Sequence, residues 1–79
     1  IKRIGRDRFV RNVLIAIGNS GMPGLGRVVE PLCADDSPLV RAMAIWALSR
    51  ISLARAVEKR ETEMAQEPDP DVRREWAAF

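Results

Sequence analysis

Apolar residues recur along this chain at the three- and four-residue spacings of helix faces. No segment alternates with period two for long enough to make a strand. Val10, Val13, Leu14 and Ile17 form one such stripe, which predicts a first helix over 8–17. Gly18-Asn19-Ser20-Gly21 closes it, because Gly and Asn tolerate the left-handed backbone of a C-terminal turn. A second helix is expected from Pro23, turning Leu25, Val28, Val29, Leu32 and Cys33 inward and bent near Pro31. The third, over 38–51, places Val40, Ala44, Ala47, Leu48 and Ile51 on one face and Leu39, Met43 and Trp46 on another. A helix apolar on two faces is sandwiched between neighbours. A more polar fourth helix is expected over 54–66, and a fifth from Pro70 towards the end.

The polar positions between these stripes repeat as well. Asp7-Arg8-Phe9-Val10-Arg11, Ser37-Pro38-Leu39-Val40-Arg41 and Asp69-Pro70-Asp71-Val72-Arg73 share a register, with Val-Arg pairs recurring after 30 and then 32 residues. Each valine follows by three places a Ser or Asp whose oxygen can accept a main-chain N–H as a helix cap. In two of the three, proline stands directly after that cap, where its missing N–H is no loss. Helix starts are therefore expected at 7, 37 and 69. The fold class is all-α: a short right-handed α-solenoid of HEAT-like helical hairpins, about five helices in all. Its repeats fall at about 7–34, 37–66 and, in part, 69–79, within a single domain over 1–79. The period is shorter than the ~40–47 residues of the longer HEAT class.

Composition narrows the chemistry. Seventy-nine residues with 30% charged side chains make one small domain with a thin core. One cysteine excludes an internal disulfide, a Cys-only zinc site and an iron–sulfur cluster held by this chain alone. With no histidine, Ser-His and Cys-His catalytic pairs and His-ligated metals are closed to it. Apolar runs fall far short of the ~20 residues needed to cross a bilayer, and no secretory leader stands at the start. The chain opens at Ile1 and reads as a piece of something longer.

Charge is uneven. The net +2 resolves into +4 over residues 1–11, zero over 12–54 and −2 over 55–79. Lys2, Arg3, Arg6 and Arg8 precede or open the first helix with few carboxylates beside them in sequence, which makes them the best candidates for phosphate contact. Arg11, Arg41 and Arg73 hold equivalent places and suit an internal polar ladder, with Asp36 and Asp71 as acidic partners. Gly21-Met22-Pro23-Gly24-Leu25-Gly26-Arg27-Val28 approaches a phosphate-binding loop. It has Arg for the lysine, Val for the hydroxyl and no preceding strand, so it reads as a turn between helices. Cys33 and both tryptophans, Trp46 and Trp76, read as packing residues, and the mixed-sign face of Glu58, Lys59, Arg60, Glu61 and Glu63 as solvated surface.

The stretch Ile4-Gly5-Arg6-Asp7-Arg8-Phe9-Val10-Arg11-Asn12-Val13-Leu14-Ile15-Ala16-Ile17-Gly18-Asn19-Ser20 resembles the segment that follows the ferredoxin-like region of epoxyqueuosine reductases. Ser37-Pro38-Leu39-Val40-Arg41 with Ile45-Trp46-Ala47-Leu48 resembles that family's next repeat, and Asp69-Pro70-Asp71-Val72-Arg73 with Glu75-Trp76 its C-terminal end. The resemblance implies a cytoplasmic parent enzyme of queuosine biosynthesis, also labelled an iron–sulfur cluster-binding protein, that reduces epoxyqueuosine in tRNA with cobalamin and two [4Fe–4S] clusters. This chain would be its non-catalytic HEAT-like C-terminal domain, holding no cofactor of its own. Its implied partners are tRNA and the parent's own N-terminal catalytic domains, with no membrane. Arg11, Asn12, Gly18 and Asn19 match the family's motif, where they either touch substrate or shape the junction between domains; taken with the basic cluster, the expected nucleic-acid contacts are Lys2, Arg3, Arg6, Arg8, Arg11 and Asn12. A generic HEAT-like protein-interaction scaffold is the other reading.

Overall fold

The computed structural model describes residues 2–79, with Lys2 described in its main chain alone. The elements run α1 (Lys2–Gly18), a 3-10 turn (Pro23–Leu25) into α2 (Gly26–Val29), a second 3-10 segment (Glu30–Ala34), α3 (Pro38–Ile51), α4 (Leu53–Glu63) ending in a 3-10 turn (Met64–Gln66), and α5 (Pro70–Trp76). There is no strand among the described residues. The chain is an all-α, solenoid-like stack in which α3 is the hub. It packs on α1 to one side and α5 to the other, and on both the α2 segment and α4.

Two of the three expected helix starts are where the caps place them. Ser37 Oγ accepts the Val40 N–H, and Asp69 Oδ1 accepts those of Asp71 and Val72 at 2.8 and 3.1 Å. The third is not. α1 begins at Lys2 and Asp7 lies inside it. The difference is proline: Pro38 and Pro70 force the residue ahead of them into extended backbone, with ψ of 123° at Ser37 and 124° at Asp69. Arg8 imposes nothing of the kind on Asp7, so the helix propagates back through Arg6, Gly5 and Ile4.

The core holds Leu14, Ile17, Val29, Val40, Ala44, Ile45, Ala47, Leu48, Ile51, Ala56, Val72 and Trp76. Several expected inward positions are corrected. Val13, Val28 and Leu39 stand exposed, while Ile45, outside either expected stripe, is fully buried. Val28 turns outward because the second helix is broken: α2 is four residues long between two 3-10 segments, and Pro31 sits in the latter. A tighter winding of three residues per turn rotates side chains out of the α register. Gly21, with φ of 68°, makes the left-handed turn that leaves α1. α5 stops at Trp76, and Phe79 turns back so that its ring meets Trp76 edge-on at 6.3 Å, under the Arg60 guanidinium at 4.8 Å.

Candidate nucleic-acid interface

The expected contacts all belong to α1, whose first two turns extend beyond the core. Arg3, Arg8, Arg11 and Asn12 are exposed along it. The side chain of Lys2 lies outside the described residues. At ~100° of turn per residue, Arg3, Arg8 and Arg11 fall within roughly 140° of arc and Asn12 at its margin. One stretch of surface therefore carries all four.

Arg6 does not join them as a free cation. Its Nη2 donates to Asp35 Oδ1 at 2.6 Å and its Nη1 to Asp35 Oδ2 at 3.2 Å and to Asp7 Oδ1 at 3.0 Å. The expectation of few nearby carboxylates fails here because folding brings Asp35, 29 positions away, onto the helix. Those hydrogen bonds, the Asp35 ones foremost, raise the guanidinium pKa further. In return the Arg6 hydrogen bonds hold the Asp35 carboxyl below its ordinary range, helped by the Ser37 N–H and opposed by partial burial. Arg6 and Asp35 tie α1 to the start of α3 and leave one cation fewer for a ligand.

The polar ladder forms with different acids. Arg41 donates from Nε and Nη2 to Glu67 Oε1 and Oε2, both at 2.9 Å, and from Nη1 to the carbonyls of Asp35 and Asp36. Asp36 thus contributes a main-chain oxygen and not its carboxylate. Asp71 pairs with Arg74 on the surface instead. Sequence reasoning missed Glu67 and Asp35, although a signal existed: each stands two residues ahead of a proline-backed cap. Arg11, the ladder residue of α1, has no ion pair among the described residues.

Apolar side chains are exposed on α1 as well: Ile4, at 59%, lies within that arc, whereas Phe9 and Val13, at 70% and 40%, stand on the other side of the helix. The Arg6–Asp35 bridge also borders an open cleft lined by Arg3, Pro31, Ala34 and Asp36. Cys33 lies apart from it, buried, its thiol pKa pushed up to about 12 chiefly by loss of solvent. Burial holds such a thiol in its protonated form near neutrality. No helix among the described residues is long and apolar enough to cross a membrane.

The sequence pattern of HEAT repeats matches residues 6–79. No curated protein and no solved structure matches the chain.

Proposed function

Since this chain belongs to the HEAT-repeat family, a premise that fixes its architecture and leaves its ligand open, we propose that it is the tRNA-holding, non-catalytic C-terminal domain of a cytoplasmic tRNA-modifying oxidoreductase resembling epoxyqueuosine reductase. One observation carries the reading. Arg3, Arg8 and Arg11 project from a single helix without an ion pair among the described residues, with the amide of Asn12 at the margin of their arc. Cations on a rigid helix suit phosphate oxygens, which orient a nucleic acid without reading its bases. The resemblance of residues 4–20 to the epoxyqueuosine reductase segment points the same way.

The [4Fe–4S] clusters and cobalamin of that enzyme class find no ligand set here. Cluster binding needs several thiolates, and this chain offers one buried thiol and no imidazole. Those groups belong to the parent's N-terminal catalytic domains, its partners in this reading.

The test is tRNA binding by the 79-residue chain across a salt series, beside a variant carrying Arg3→Gln, Arg8→Gln and Arg11→Gln. Each phosphate contact contributes roughly 0.7–0.9 to the slope of log affinity against log salt. The triple variant is expected to lose about two units of that slope and most of its affinity. Arg6 is left alone because its loss would loosen α1. An unchanged slope removes the tRNA reading.

A protein-interaction scaffold is the second reading, favoured by the exposed Ile4, Phe9 and Val13. Phe9→Ser with Val13→Ser would then abolish partner capture while leaving the salt slope for tRNA as it was.

A further inference from the structure

The open cleft beside the Arg6–Asp35 bridge has a volume of about 730 Å³, within the roughly 300–1,000 Å³ of ligand pockets. Its walls come from the start of α1, the 3-10 segment around Pro31 and Ala34, and the turn that leads into α3. Asp35 is already engaged there: Oδ1 accepts Arg6 Nη2, and Oδ2 accepts both Arg6 Nη1 and the Ser37 N–H. Two charged groups are left open. The Asp36 carboxylate meets no donor among the described residues, since only its main-chain oxygen is used, by Arg41. Arg3 pairs with no acid among them. Both residues are exposed.

Those two groups define what a ligand must offer. An ionised carboxylate accepts and never donates, so it is matched by an edge that carries two adjacent N–H donors. Among the RNA bases only guanine has such an edge, N1–H beside the N2 amino group. Adenine and cytosine set a donor next to an acceptor, and uracil flanks its single N–H with carbonyls. An arginine side chain presents the same pair of donors, but Arg3 and Arg6 in the same cleft repel a second guanidinium. The guanine edge is uncharged and meets no such repulsion. Pro31 and Ala34, both exposed, add apolar surface against which a flat ring can lie, and Arg3 suits a phosphate.

We infer that this cleft receives one unpaired guanosine nucleotide, its Watson–Crick edge on the Asp36 carboxylate, its ring against Pro31 and its phosphate on Arg3. Such a site presupposes that α1 faces RNA, as proposed above, and adds the base selectivity that phosphate contacts do not give. The nucleotide serves recognition and is distinct from the base on which the parent's catalytic domains act.

The test measures binding of the 79-residue chain to the RNA pentamers UUGUU, UUAUU and UUIUU (I, inosine) across a salt series. The guanine pentamer is expected to bind roughly tenfold tighter than the adenine one, with inosine, which lacks the amino group, between them. Asp36→Asn should bring the three together, because an amide replaces one of the two acceptors with a donor. The fold survives that change, since the carboxylate holds nothing in it. Arg3→Gln should weaken all three alike and lower the salt slope by roughly 0.7, leaving the guanine preference in place. Equal affinities for the guanine and adenine pentamers, or a preference that survives Asp36→Asn, overturn the inference while salt-dependent binding leaves the phosphate role of α1 standing. Pentamers that bind without salt dependence remove that role and the guanosine site together. Displacement of the guanine pentamer by N-acetylarginine amide, and not by its lysine analogue at equal ionic strength, would mark a guanidinium ligand and overturn the inference as well.

Discussion

Gly18 is where one side chain fixes the distance between two helices. It is buried at the end of α1, and a Cβ there would lie 2.8 Å from Cη2 and 3.0 Å from Cε3 of Trp46. The ring cannot retreat freely, since the Arg50 guanidinium covers it at 5.6 Å. Ala in place of a helical Gly gains about 1 kcal/mol of propensity, whereas overpacking costs about 1–3 kcal/mol. Packing wins: Gly18→Ala should lower the urea midpoint. Gly5 is the control, with nothing within 4 Å of an added Cβ, and Gly5→Ala should raise it. A rise in both would mean that α1 and α3 are not in contact through this glycine. Trp46 was legible as a packing residue from its helical neighbours. Its partner was not, since a glycine at position 18 reads first as a helix stop and only contact reveals it as a space.

At the scale of elements, proline decides which caps act. Ser37 and Asp69 precede proline and cap; Asp7 has the same spacing to its Val-Arg pair but lies within α1, bonded to Arg6. Ser37→Ala and Asp69→Ala should each cost about 1 kcal/mol in chemical denaturation. Asp7→Ala should cost a few tenths at most, because an exposed neighbouring ion pair contributes little. Equal losses at all three would restore a helix start at 7. Local chemistry made α3 readable to the residue, α4 nearly so and the start of α5 as well, since caps and prolines act on their immediate neighbours. It failed where the outcome depends on what comes before or across: α1 ran on for want of a stop, and Val28 turned outward once Pro31 shortened its helix. The candidate site followed the same division. The basic residues of α1 were visible as a cluster, but the loss of Arg6 to Asp35 was not, because that pair closes only when α1 lies along α3.

For the molecule as a whole, that pair predicts how it meets acid. The Arg6 hydrogen bonds, with the Ser37 N–H, hold the Asp35 carboxyl below its ordinary range in the folded chain. A carboxyl depressed on folding binds fewer protons folded than unfolded, so its stabilisation is complete above its unfolded pKa of about 4. It is lost as the pH falls through the lower folded value. Asp35→Asn keeps an oxygen for the Ser37 N–H and removes the charge, so it isolates the ionic contribution. The variant should be the less stable protein at pH 6, and the gap in urea midpoint should close as the pH is lowered from about 5 towards 2. Because half of the Arg6 side chain is open to water, the gap at pH 6 should also narrow in molar salt. A gap that stays constant through the acid range would mean that Asp35 acts at the α3 start through shape alone. The attachment of α1, and with it the placement of Arg3, Arg8 and Arg11, would then rest on Leu14, Ile17 and Gly18 without electrostatic help.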